Sequence, residues 1–126
     1  MTPTEIIEIV DRITPNAHTD ADKLRWLREL DEAILVELNL LRRRLDMLPR
    51  QIREASEGDP NDFELVVKAP FDEDLYVSFL QACMAWADEE DARYDRYITR
   101  FNNAYDRYMS YEIQVSCALS YAHYRF

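Results

Sequence analysis

Apolar side chains recur along most of this chain at steps of three and four, a period that predicts helices. Ile6, Ile9, Val10 and Ile13 share one face of a first helix over about residues 3–14. Thr2-Pro3-Thr4-Glu5 marks its start: Thr2 can cap, Pro3 suits the first helical position, and Glu5 sits where a capping box needs it. Pro15-Asn16 stops it. Thr19-Asp20-Ala21-Asp22 opens a second helix over about 20–48, with acid in the first turn to complement the helix dipole and Pro49 as its stop. Its stripe is Leu24, Leu27, Ile34, Leu38, Leu41, Leu45 and Leu48, a heptad-like seam with Asp31 as its polar interruption. Trp26, Leu30 and Ala33 widen the apolar face, so this helix is expected to pack on more than one neighbour.

Residues 50–62 are charged and polar and end in Glu57-Gly58-Asp59-Pro60-Asn61-Asp62, a loop by composition. Phe63 to Val67 reads as a short extended segment, stopped by Pro70. A lone short strand needs a partner. The candidate within the chain is the tail, where Ile113, Val115, Cys117, Leu119 and Tyr121 alternate with Gln114, Ser116, Ala118 and Ser120. That alternation is the strand period, but the same residues also tolerate a helical reading. Residues 112–126 therefore stay open between strand, helix and disorder. If the two segments do not pair together, one is left for a neighbouring subunit.

Asp72 is the expected cap of a third helix over about 73–111, with Glu73 and Asp74 in its first turn. Phe79, Cys83, Trp86, Tyr94, Tyr97, Phe101, Tyr105 and Tyr108 follow at helical spacing. Unbroken, that helix would be roughly 60 Å long, longer than a domain of this size. Either it breaks near Asp88-Glu89-Glu90-Asp91 or its distal part packs against other subunits. Tyrosine suits half-buried contact surfaces, because the ring buries while the hydroxyl stays hydrated; the competing reading makes the stripe the core face of the helix. The expected fold is mostly α: one domain over 1–126, a small helical bundle with one long C-terminal helix and a short extended segment.

The chain has 126 residues, 48% of them hydrophobic and a single one Gly, with a net charge of −10. One domain of that length buries about 65% of its unfolded surface. Few glycines favour long helices over tight hairpins. The acidic field repels nucleic-acid backbones and anionic membranes at long range, so specific nucleic-acid binding is not expected. Basic residues nevertheless cluster at Arg42, Arg43, Arg44, Arg50 and Arg53, while acidic ones gather at Glu54 to Asp74 and at Asp88 to Asp91. One copy's basic patch can meet the next copy's acidic face; the plainer reading makes both patches solvated helix ends. The cysteines, Cys83 and Cys117, have neither disulfide-framework nor zinc-site spacing. No apolar run reaches bilayer length, and Met1-Thr2-Pro3-Thr4-Glu5 lacks a signal peptide's basic start.

Candidate chemistry is sparse. His18 and His123 are the two histidines; neither has a catalytic context, and one glycine does not make a phosphate loop. The enzymatic candidate is a pair of acidic pairs, Glu29 with Glu32 and Asp88 with Asp91, such as all-α nucleotide pyrophosphohydrolases use to hold magnesium. Glu29 can equally pair with Arg25, and Glu32 with Arg28, one turn away.

Five stretches resemble a family of short tailed-phage and prophage proteins: Arg12 to Ala17, Lys23 to Asp31, Glu64 to Phe71, Asp74 to Leu80, and Tyr97 to Tyr105 with its Phe-Asn-Asn-Ala-Tyr. They are collinear over roughly two thirds of the chain. In size and helical content such proteins are similar to head–tail connector, or head-completion, proteins. The resemblance implies a non-enzymatic role at the capsid neck, with copies self-associating into a ring between portal and tail-side virion proteins around a DNA channel. It implies no catalytic residues, cofactor or metal, and a location in the host cytoplasm during assembly and then in the virion. The contact residues expected from the aromatic stripe are Trp86, Tyr94, Tyr97, Phe101, Tyr105 and Tyr108, with Arg42, Arg43 and Arg44 as the polar counterpart. A small helical adaptor dimerising through the Leu24–Leu48 seam is the second expectation, and the magnesium-dependent pyrophosphohydrolase the third.

Overall fold

The computed structural model describes residues 1–49 and 63–124. They form four helices: α1 (Pro3–Ile13), α2 (Asp20–Arg44), α3 (Asp72–Ala87) and α4 (Asp91–Tyr124). Among the described residues there is no strand. The mostly α fold with a long C-terminal helix is therefore the one the periodicity predicts. The loop over 50–62 lies outside the described residues.

The helix starts follow their sequence signals. Thr2 Oγ1 accepts from the Glu5 N–H at 3.3 Å, and Thr19 Oγ1 accepts from the Asp22 N–H at 3.2 Å. Each side chain satisfies one of the amide donors that a helix start leaves unpaired. At α3 the cap position is Phe71, and Asp72 is the first helical residue. Asp72 still works for the helix start, since its Oδ1 accepts from the Glu73 N–H at 2.8 Å.

Two helix ends fall earlier than the apolar periodicity suggests. The second helix stops at Arg44, not at 48, because Asp46 turns left-handed at φ 53°. The Met47 N–H then bonds the Arg42 carbonyl at 2.8 Å and the Asp46 N–H the Arg43 carbonyl at 3.2 Å, which is a Schellman closure. The expected helix over 73–111 breaks by the same device. Glu89 has φ 56°, Glu90 N–H bonds Ala85 carbonyl at 2.9 Å, and Glu89 N–H bonds Trp86 carbonyl at 3.2 Å. With one glycine in the chain, an aspartate and a glutamate occupy positions that glycine fills at lower cost. At the first helix the difference is one residue, Thr14 serving as its C-cap.

The tail corrects the strand reading. No glycine or proline follows Pro70, so nothing after Asp91 interrupts the helical ladder, and α4 runs to Tyr124. Ala104, Tyr108 and Ser116 fall on steps of four and are buried. The alternating Ile113 and Val115 are left exposed.

α3 and α4 form an antiparallel hairpin held by aromatic rungs. Trp86 meets Tyr94 at 5.3 Å, Phe79 meets Phe101 at 5.3 Å, and Phe71 meets Tyr108 at 6.0 Å and Tyr111 at 5.0 Å between ring centroids. Each step of seven or eight residues down α3 is matched by seven up α4, so the rungs set the register of the pair. Asp74 on α3 ties the same face to Arg100 at 3.2 Å and Arg107 at 3.8 Å. α1 packs on α3 and α2, placing Ile6, Ile7 and Val10 in a core with Leu27, Leu30, Ile34, Leu38, Leu75 and Leu80.

The segment from Phe63 to Val67 is buried without being a strand. Two of its backbone N–H groups bond side chains. Asp31 Oδ2 accepts from the Val66 N–H at 3.2 Å, and the Tyr76 hydroxyl accepts from the Val67 N–H at 2.9 Å. The same hydroxyl donates to Asp31 Oδ1 at 2.5 Å. The polar interruption of the α2 seam thus supplies the partner that the extended segment lacks. Lys23 is likewise almost fully buried, with Nζ 2.5 Å from Asp11 Oδ1. Burial pushes the Asp11 carboxyl up, but hydrogen bonds from Lys23 and Asn16 and the lysine's charge outweigh it and hold the group below its ordinary value.

Two stability predictions follow from these contacts. Burial raises the Asp31 carboxyl from 3.8 to about 6, against the hydrogen bonds from Tyr76 and Val66. The folded protein therefore binds this proton more tightly than the unfolded chain. The stability gained is fully present below about pH 3.8 and is lost as pH rises through about 6. The stability difference between wild type and Asp31→Asn, from urea melts at pH 4 and pH 6.5, is expected to move in favour of wild type at the lower pH by about 2 kcal/mol; a pH-independent difference would contradict the raised carboxyl. Separately, Glu89→Gly is expected to stabilise the protein by about 0.5–1 kcal/mol by relieving the left-handed backbone, read as a higher urea midpoint.

Candidate functional site

The α3–α4 turn is where side chains converge without filling the space between them. Phe79, Ala82, Cys83 and Trp86 lie on α3 at helical steps, Tyr94 and Ile98 face them from α4, and Trp26 closes the side from α2. Together they line an apolar hollow of about 250 Å³. The Trp86 indole is 70% exposed despite its contact with Tyr94. Burial pushes the Cys83 thiol up to about 12, with Glu29 adding to it. That thiol is therefore a neutral, weakly reactive lining group.

The turn that joins the two helices beside the hollow is acidic. Asp88, Glu89, Glu90 and Asp91 are all exposed around the turn. His18 is half-buried, with Nε2 3.1 Å from Asp88 Oδ1 and its ring edge-on to Trp26 at 5.7 Å. Asn16 Oδ1 accepts from the His18 N–H at 3.1 Å. The loop before α2 is thereby fixed to the α3–α4 turn. A site of this make-up offers aromatic faces and negative charge, which suits an apolar or cationic side chain from another protein.

The expected contact residues divide into distinct groups. Trp86 and Tyr94 lie at the hollow. Phe101 packs on Phe79 and stacks on Tyr105 at 5.9 Å. The Tyr105 hydroxyl donates to Glu37 on α2. Tyr108 is 2% exposed and donates to Glu112 Oε1 at 2.9 Å, which places it in the core. Tyr97 is half-buried on α4, with the Arg96 guanidinium 5.6 Å from a ring centroid. Arg43 and Arg44 are exposed at the end of α2. Arg42 Nε donates to the Leu48 carbonyl at 2.7 Å, holding the turn after the helix.

Along the seam expected to carry a dimer, Leu27, Asp31, Ile34 and Leu38 are buried, Leu24, Leu41 and Leu45 are half-buried, and Leu48 is 83% exposed. Glu29, Glu32, Asp88 and Asp91 are all exposed, and among the described residues no group of three or more His, Cys, Asp or Glu side chains is placed to hold an ion. Another hollow, of about 200 Å³, lies between Pro70, Phe71, Asp74, Ala104 and Arg107. Trp26, His18, Ala82 and Ile98 were not singled out for the site by sequence; the spacing of 79, 83 and 86 was the legible signal, and the α2 contribution is tertiary.

No family model matches the chain, and neither curated proteins nor solved structures supply a match. Among the described residues no helix is long and apolar enough to cross a membrane.

Because Trp86 is mostly exposed, Trp86→Ala is expected to change stability by less than about 1 kcal/mol, whereas Phe79→Ala, which removes a half-buried rung, should cost about 2–4 kcal/mol. Denaturant melts of the two variants check this contrast.

Proposed function

We propose that this protein is a non-enzymatic structural component of a tailed-phage head–tail junction, acting through self-association and contacts with portal and tail-side proteins. The single observation that carries the reading is Trp86: a large aromatic residue, 70% exposed, that lines an unfilled apolar hollow just before the acidic turn over residues 88–91. Exposed aromatic surface of this kind marks protein contacts far more often than it marks chemistry. The five collinear sequence stretches described above supply the phage context.

The acidic body fits the same role. A net charge of −10 repels DNA backbones, so a channel walled by such subunits would let DNA pass without adhering. Exposed Arg43 and Arg44 at one end of α2 provide the opposite sign to the acidic turn near its other end, as heterologous, ring-closing contacts require.

The test is light scattering on a size-exclusion column over a concentration series, alone and with the portal protein of the same phage, with electron microscopy of any large species. A closed ring assembled on the portal is expected, and Trp86→Ser should abolish it while leaving the helical circular dichroism unchanged. Absence of any ring or portal complex under either condition would sink the role, as would a ring whose channel face is neutral or basic.

A further inference from the structure

The outer face of α2 is a second seam. Its core-facing side is spent on Leu27, Leu30, Ile34 and Leu38. On the opposite side Ala33, Val36 and Leu40 follow at steps of three and four, all exposed, with Val36 at 59% and Leu40 at 52%. Exposed Glu29 precedes them by one turn, and exposed Arg43 and Arg44 follow by one turn. At 3.6 residues per turn these six positions fall within an arc of roughly 100°, the width of a helix-packing stripe. The edge of the stripe is fixed by Glu37, which accepts the Tyr105 hydroxyl and so marks the side where α4 approaches.

We infer that two copies of the protein pair through this face, α2 against α2 in antiparallel orientation about a two-fold axis beside Val36. The face is self-complementary in that orientation. Position 33 then lies opposite position 40 of the second copy, so a methyl group meets a leucine and the helices can approach to about 8–10 Å. Position 29 lies opposite position 44, so glutamate meets arginine at both ends. A parallel pairing would set Glu29 against Glu29 and Arg44 against Arg44, and like charges facing each other are disfavoured. Separation of acid to one end of the apolar stripe and base to the other is what selects a second copy, antiparallel, as the occupant. One helix face is small for an interface, which places the dimer in the weak class, with a dissociation constant on the order of micromolar.

This pairing does not rest on the neck role and does not involve Trp86, although it draws on the same Arg44 that the ring reading sets against the acidic turn. Sedimentation equilibrium of the full chain, up to millimolar concentration, is expected to show a monomer–dimer equilibrium. Val36→Gln with Leu40→Gln should weaken it at least about tenfold with little change in melting temperature, since both side chains are exposed. Glu29→Arg alone and Arg44→Glu alone should each weaken it, and the two together in one chain should restore it, because the swapped charges meet again across the axis. Trp86→Ser should leave it unchanged. A monomer at every concentration overturns the inference. So does a dimer that survives the Val36 and Leu40 changes, one that the double charge swap fails to restore, or one lost with Trp86→Ser.

Discussion

A buried carboxylate organises this molecule. Asp31 interrupts the apolar seam of α2 at a position that is 1% exposed, where an unpaired charge would be severely penalised. It is tolerated because the Tyr76 hydroxyl and the Val66 N–H both point hydrogens at it. The same hydroxyl accepts the Val67 N–H, so one aspartate and one tyrosine satisfy two successive backbone donors of an irregular segment. Phe63, Leu65, Val66 and Val67 can then be buried between helices without a sheet. The Arg28 guanidinium lies 4.7 Å from the Phe63 ring centroid and covers the end of the segment.

With that segment anchored, α3 is held against α2, and α4 is positioned by α3. The rungs from Trp86–Tyr94 through Phe79–Phe101 to Phe71–Tyr108 convert an aromatic stripe into a register. Most of the stripe is therefore consumed inside the chain, and only its open end becomes surface. The hollow at that end exists because the Schellman turn at Glu89 brings Trp86 and Tyr94 together while Trp26 and His18 close the side from α2. α2 thus faces three ways: its inner side fills the core, its N-terminal end completes the hollow, and its outer side remains apolar and exposed.

Much of the helical architecture was legible in the sequence. Thr2 and Thr19 cap where local side-chain chemistry requires, and the periodicity of Leu27, Ile34 and Leu38 identifies a core face before any neighbour is known. The possible break near Asp88 was readable from length alone, since an unbroken helix would outrun the domain. The end of α2 was not, because proline at 49 is a visible stop and a left-handed aspartate at 46 is not. The tail was ambiguous for a different reason: alternation at 113–121 fits a strand locally, and the continuity of the α4 ladder, with no strand among the described residues, decides for helix.

The sequence by itself determined the class of fold, the capped starts of α1 and α2 and the acidic charge, because each depends on residue type and local spacing. The tertiary structure alone decided which aromatic residues are core and which are surface, since Tyr108 and Trp86 have similar chemistry and differ only in what lies opposite them. It also decided the partner of Asp31, separated by 45 residues from Tyr76, and which of the two apolar seams on α2 remains free. These are properties of pairs of residues remote along the chain, and local pattern carries no information about which remote residue fills the space opposite.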